Sequence, residues 1–164
     1  MFRIYIDTHI AQETGARITG INIDPKQLKE ATDRALFHNL TNQLTYLKAS
    51  FNDPLPFPDE HFDGLYNIQA LSYTINFDAL FKEMYRVLKS TGSIFLHCDW
   101  HADAYIRVEI LDKLFGEKNF RNHIIWKRTN TPKGSQFSNK QFGVVTDSIF
   151  WYSKTATRSF SQPM

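Results

Sequence analysis

The sequence predicts a doubly wound, mostly parallel α/β sheet of seven strands. Three observations carry that expectation. Short β-rich runs alternate with amphipathic helical segments along most of the chain, the pattern that builds strand–helix–strand crossovers. Breaker residues stand at the junctions: Asp24-Pro25, the Asn52–Asp59 run, Gly92 and Gly116. The 164 residues, 42% hydrophobic and 22% charged, are enough for one core. Residues 1–154 are therefore read as a single domain and residues 155–164 as a C-terminal tail.

Phe2 to Asp7 is the first strand candidate, a short β-rich run. Arg17 to Asp24 is the second, and it ends where a helix should start: Asp24 can cap and Pro25 fits the first helical position. Leu28, Ala31, Ala35 and Leu36 then fall on one helical face. Leu44 to Lys48 is the third strand, followed by Asn52-Asp53-Pro54-Leu55-Pro56-Phe57-Pro58-Asp59. Phe62 to Ile68 reads as a buried strand. Phe77, Leu80, Phe81, Met84 and Leu88 recur at helical spacing, with Gly92 marking the exit. Ser93 to Cys98 is the next strand. Asp103 to Phe115 follows as a helix with Ala104, Val108, Leu111 and Phe115 inward and Gly116 as its stop. His123 to Lys127 and Val144 to Tyr152 complete the set, with a polar loop at 129–143 between them.

Composition narrows the functional classes. Cys98 is the only cysteine, so no intramolecular disulfide framework exists, and no Cys/His spacing of the zinc-finger type is present. No signal-peptide pattern and no apolar run near the ~18 residues of a bilayer span occur, which points to the cytoplasm and away from membranes. The net charge of +2 conceals an asymmetry: residues 118–158 carry eight Lys/Arg against Asp147 alone, and the remainder carries eleven basic against sixteen acidic residues. Such a segment can face a polyanion, with Lys127, Arg128, Lys133 and Lys140 as the contacts to nucleic acid. A solvated basic loop is the plainer alternative.

In an open α/β sheet, ligands sit at the carboxyl ends of the strands. That places attention on Asp24, Ser50-Phe51, Asn67 to Ala70 and Cys98 to His101. Asp24 can accept both hydroxyls of a ribose, a role compatible with capping a helix. Ser50 and Phe51 can read an adenine edge and pack on its face; a core Phe beside a surface Ser is the competing account. His97, Asp99, His101 and Asp103 together suggest a metal, but a helix cap with histidines bordering a cleft explains them more simply, and no metal is expected. Cys98, on a buried strand without a partner, is not expected to be a nucleophile.

Thr14-Gly15-Ala16-Arg17-Ile18-Thr19-Gly20-Ile21-Asn22-Ile23-Asp24, Ser50 to Glu60, Phe62 to Ala70 and Phe81-Lys82-Glu83-Met84-Tyr85-Arg86-Val87-Leu88-Lys89 resemble the class I S-adenosylmethionine-dependent methyltransferases, most of all the sterol and small-molecule group. That likeness spans residues 11–92. From residue 85 to 154 the chain resembles instead the DNA amino-methyltransferases, which modify adenine or cytosine amines. It does so through Arg86 to Asp99, Leu114 to Arg128 and Phe142 to Lys154. The resemblance implies a Rossmann-like sheet and S-adenosylmethionine as cofactor. It assigns Asp24 to the ribose, Ser50 and Phe51 to the adenine, and Asn67 with Gln69 to the methyl-donor side.

Two departures from the family pattern stand out. Where the family has a Gly-rich turn after its first strand, this chain has Asp7-Thr8-His9-Ile10-Ala11-Gln12, so the first strand and cofactor loop read as truncated. Where DNA amino-methyltransferases carry Asp-Pro-Pro-Tyr, it has Asn67-Ile68-Gln69-Ala70. Asn67 remains able to accept one hydrogen bond from a target amine. Asp99, His97 or His101 can take the leaving proton, and Asn67 and Asp99 are the expected catalytic pair. Two functional readings follow: a methyltransferase acting on a DNA base amine or a small lipid-like acceptor, or an inactive nucleic-acid-binding module of the same fold.

Overall fold

The computed structural model describes residues 6–68, 70–99, 101–129 and 144–155. The chain falls into two compact units, Met1–Pro56 and Phe57–Met164. In the first unit, α1 (Ile6–Thr14) leads into β1 (Ile18–Asn22), then α2 (Pro25–Phe37), then β2 (Leu44–Lys48). The two strands pair in parallel from Ile18 opposite Leu44 to Asn22 opposite Lys48. Ala11, Ala35, Leu40 and Leu44 form the core, with Ile18 and Tyr46 packed against it.

Of the first predicted strand only Ile6 and Asp7 are described, and they are helical, opening α1; Phe2 to Tyr5 lie outside the described residues. Asp7 is suited to a first helical turn, where its carboxylate meets the positive end of the helix dipole. It accepts the Thr8 backbone N–H at 2.9 Å and the Tyr46 hydroxyl, and so ties α1 to β2. Gly15, with φ 70°, turns the chain out of α1. On α2 the predicted face is half right. Ala31 and Ala35 are buried, whereas Leu36 is 66% exposed, because it lies one residue around the helix from the buried stripe.

The second unit contains β3 (Phe62–Asn67), α3 (Phe77–Val87), β4 (Leu88–Cys98), a helix that runs as a π-helical stretch Tyr105–Leu111 and closes as α4 (Asp112–Phe115), then β5 (Phe120–Lys127) and β6 (Thr146–Ser153). The four strands form one sheet in the order β3-β4-β6-β5. Only β3 and β4 are parallel; β6 runs antiparallel to both its neighbours. Among the described residues the strands thus form a parallel pair and a mixed four-stranded sheet, in place of seven mostly parallel strands.

Alternation along the strands decides which side is packed. Ile94, Leu96, Phe150 and Tyr152 point to one face and are buried, as are Leu80, Phe81 and Met84 of α3 and Ile106, Ile110, Leu111 and Phe115 of the last helices. The opposite face carries Tyr66, Phe95 and Trp151, which stand opposite one another on β3, β4 and β6. Phe95 and Trp151 stack with centroids 5.4 Å apart. β3 is an edge strand, and Tyr66 is 39% exposed, so this strand is not buried as its apolar run suggested.

Two further differences have local causes. Of the predicted inward face, Leu111 and Phe115 are buried, whereas Ala104 and Val108 are exposed and Ile106 and Ile110 are buried in their place, because the π-helical stretch rotates the register that an α-helical period assumes. Gly92 does not end a helix. α3 stops at Val87, and Gly92 lies inside β4 at an irregularity where Phe62 faces Leu88 and Gly64 faces Ser93. A Cβ on Gly92 would come within 2.6 Å of the Leu88 side chain, which explains the residue.

Candidate active site

β1 ends at Asn22 and β2 at Lys48, and the first group of predicted site residues follows these ends. Asp24 is the N-cap of α2: its Oδ1 accepts the Lys26 N–H at 2.9 Å, and its Oδ2 accepts Gln27 Nε2 at 3.3 Å. Asn22 holds the same corner, accepting the Asp24 N–H at 2.9 Å and donating to Gln27 Oε1 at 3.0 Å. The second carboxylate oxygen is therefore held only by a surface glutamine, which another donor can displace. Ser50 Oγ accepts the Asn52 N–H at 3.0 Å, and Phe51 beside it is half-buried.

The second group lies in the other unit. Asn67, at the end of β3, is buried and its Oδ1 accepts the Ala70 N–H at 3.3 Å. Gln69 lies outside the described residues. Asp99 follows the last residue of β4, is largely exposed, and its Oδ1 accepts the backbone N–H groups of His101 (3.1 Å) and Ala102 (3.3 Å). It caps the turn that starts the next helix. His101 is exposed beside it.

His97 is different. It is 7% exposed, and its Nε2 lies 3.3 Å from Asp147 Oδ2, on the start of β6. Asp147 is 3% exposed, and its other oxygen lies 3.3 Å from Arg128 Nη1. On the other face of the sheet, Ser148 Oγ is 2.9 Å from His123 Nε2 and donates to Asp103 Oδ2 at 3.4 Å. Sequence reasoning named His97 and Arg128 separately and missed Asp147. Its signal was its position as the one acid in a basic segment.

Cys98 stands between these groups. Burial, reinforced by the negative charges of Asp103, Asp99 and Asp147, pushes its thiol up to about 12, so it stays protonated and inert. Of the predicted nucleic-acid contacts, Lys127 is exposed at the end of β5 and Arg128 is paired with Asp147. Lys133 and Lys140 lie outside the described residues. Among the described residues no group of three His, Cys, Asp or Glu side chains could hold a metal. No described helix is long and apolar enough to cross a membrane.

The residues after β1 and β2 fit the adenosine half of S-adenosylmethionine. They offer a carboxylate with one displaceable oxygen, a hydroxyl and an aromatic at adjacent strand ends. The N-terminus of α1 offers no such match for the carboxylate of a methionine moiety, because Asp7 already places its own carboxylate there. When bound, the cofactor supplies the activated methyl group.

The profile described as "Methyltransferase domain" matches residues 6–96, and the profile "DNA methylase" matches residues 59–163. Sterol 24-C-methyltransferase ERG6A of Gibberella zeae is 38% identical over 91 residues, which cover 56% of this chain and 23% of that protein. The chain thus spans less than a quarter of that relative. The methyltransferase solved with the Haloferax volcanii Trm112 activator is similar in fold, with a TM-score of 0.66 at 14% identity over 92% of this chain and 77% of that one. Geranyl diphosphate methyltransferase, solved in complex with SAM, gives 0.62 at 12% identity over 90% and 73%. A Rossmann-like fold, a sterol-methyltransferase-like first half and a DNA-methylase-like second half converge on one conclusion: the chain belongs to the S-adenosylmethionine-dependent methyltransferases.

Proposed function

We propose that this chain forms part of an enzyme that transfers a methyl group from S-adenosylmethionine to an exocyclic amine of a DNA base. The observation that carries the choice of acceptor is the DNA-methylase match across residues 59–163. The same stretch holds Asn67 at the carboxyl end of β3 and most of the basic segment. Asp24, Ser50 and Phe51 hold the adenosine half of the donor, Gln69 borders the methyl-donor side, and Asn67 accepts a hydrogen bond from the target amine. Lys127, Lys133 and Lys140 contact phosphates.

A small lipid-like acceptor is the second reading, favoured by the sterol methyltransferase likeness of the first half. An inactive nucleic-acid-binding module of the same fold is the third, favoured by Asp7 standing where a Gly-rich turn would bring backbone to the cofactor. Titration with S-adenosylhomocysteine separates the enzyme readings from the module. Heat release that saturates supports an enzyme, and none at millimolar ligand leaves the module. Labelled methyl transfer to duplex DNA, compared with a sterol in detergent, then decides the acceptor.

A further inference from the structure

Among the described residues β5 ends the four-stranded sheet, paired with β6 on one side and with no strand on the other. Edge strands are ordinarily blunted by proline, a bulge or a central charge, because an open row of N–H and C=O groups pairs with any strand that reaches it. No proline or glycine interrupts Phe120–Lys127, and its charges, Arg121 and Lys127, stand near its ends. The middle is apolar on both faces: Ile124 is 41% exposed, Ile125 57% and Trp126 57%. One hydrogen bond fixes which backbone groups are open. The Arg128 N–H donates to Val145 O at 2.8 Å, so Arg128 faces β6. Alternation along the antiparallel ladder then turns the N–H and C=O groups of Ile124 and Trp126 toward β6, and those of His123, Ile125 and Lys127 toward the open edge.

We propose that this edge pairs with β5 of a second copy of the chain, antiparallel and about a two-fold axis at Ile125. Opposite residues in such a pair share a face, so the axis passes through a residue and not between two. An axis at Ile124 sets Arg121 opposite Lys127 at both ends, which is repulsive. An axis at Trp126 sets Ile124 against Arg128 and Ile125 against Lys127. An axis at His123 needs Phe120, which lies before the irregularity between Phe120 and Asn122. The axis at Ile125 avoids all three. On one face Ile124 meets Trp126 of the copy twice; on the other Ile125 meets its own copy, with Lys127 opposite His123. The two Lys127 residues then stand about 13 Å apart along the strands, beyond the ~8 Å screening length. The open backbone groups of His123, Ile125 and Lys127 are satisfied across the axis, and the two sheets become one. A single pair of strands covers less than the ~800 Å² per partner of a standard stable interface, so the dimer dissociates on dilution. This inference goes beyond the methyltransferase reading and stands or falls without it, since neither cofactor nor acceptor takes part.

Sedimentation equilibrium of the 164-residue chain from micromolar to millimolar concentration should show the mass rising from one chain toward two and no further, because a two-fold pair closes on itself. A mass that stays at one chain leaves the edge to a different partner and overturns the proposal; growth past two overturns the closed pair. Over the same range amide exchange at His123, Ile125 and Lys127 should slow at least about tenfold while Ile124 and Trp126 stay unchanged. A dimer without that alternation overturns edge pairing. Ile125→Pro removes an N–H that faces the open edge and no bond to β6, and Ile125→Lys sets two ammonium groups opposite each other; both variants should stay single at millimolar concentration. A dimer retained by Ile125→Lys overturns the proposal even where the proline variant fails to fold. Ile125→Cys places two thiols on residues whose Cα atoms are about 5.5 Å apart, within disulfide reach, so mild oxidation should link the copies. Cys98 is buried and protonated and stays out of that reaction. Linking through Ile124→Cys in preference to Ile125→Cys overturns the axis.

Discussion

Asp24 Oδ1 accepts the Lys26 backbone N–H at 2.9 Å, so the carboxylate assigned to the ribose is also the cap that starts α2. The two roles use different oxygens and can be separated by substitution. Asparagine caps as well as aspartate, whereas alanine costs about 1 kcal/mol at such a position. Asp24→Asn should therefore melt close to the parent and bind S-adenosylhomocysteine at least about tenfold more weakly, because a charged acceptor is lost. Asp24→Ala should lose both stability and binding. Thermal melts with calorimetric titration check this, and unchanged affinity in the Asn variant would remove Asp24 from the site.

Gly20 in β1 lies under the Tyr46 ring. A Cβ there would sit 2.9 Å from Tyr46 Cδ1, too close for the ring to stay where its hydroxyl meets Asp7. Gly20→Ala should destabilise the first unit by about 1–3 kcal/mol, the usual cost of overpacking. Urea unfolding followed by Tyr46 NMR signals would measure it; a midpoint equal to the parent's would contradict the packing.

Cys98 gives the second unit a dependence on alkaline pH. The folded chain keeps the thiol proton to about 12, above the ordinary value of 9.0, so this contribution to stability is complete below that value and lost as pH rises toward the folded one. Denaturant midpoints should fall across that window in the parent and fall less in Cys98→Ser. Iodoacetamide at pH 8.5 should modify the folded chain at least about 100-fold more slowly than the urea-unfolded chain, since thiolate is the reactive form.

Tyr152 is buried, and its hydroxyl donates to Asp112 Oδ1 at 2.5 Å, joining β6 to α4. Burial, with the Asp112 carboxylate, raises the phenol above its ordinary range, so it stays neutral and donating. Tyr152→Phe preserves the packing against Phe115 and removes the hydroxyl's bonds to Asp112 and Arg107. A loss of about 1–2 kcal/mol in chemical denaturation is expected. No loss would mean that the Asp112 carboxylate is satisfied without it.

Lys127 and Arg128 are neighbours with different work to do. Lys127 is exposed at a strand end, and Arg128 lies against buried Asp147. If the basic segment meets DNA, Lys127→Ala should reduce the slope of log affinity against log salt by about one and leave the melting temperature unchanged. Arg128→Ala should lower the melting temperature. DNA affinity indifferent to salt would contradict the phosphate contacts.

Much of this molecule was legible in one dimension. The strands at residues 18–22, 44–48 and 93–98 and the helix opened by Asp24-Pro25 follow from alternation, capping and a 3.6-residue period, which are local rules. The errors share a cause. Ile6-Asp7 has strand-forming composition but lies in a helix that packs through Ala11, and Leu36 continues an apolar pattern past the edge of the buried face. The helix after Asp103 contains a π-helical stretch that no periodicity announces. In each case tertiary packing overrode local preference.

The candidate site divides in the same way. By itself the sequence determined which residues end the strands, because a strand's limits are set by its own composition and its flanking breakers. It thereby placed Asp24, Ser50 and Asn67 at carboxyl ends, and its motifs carried the methyltransferase family. Only the tertiary structure decided which charges meet. Asp147 lies fifty residues beyond His97, and no spacing rule connects them. They become partners because β6 runs antiparallel beside β4 and sets Ile149 opposite His97, leaving Asp147 two residues away on the same face. Pairing across a sheet depends on register, and register is a property of the folded chain.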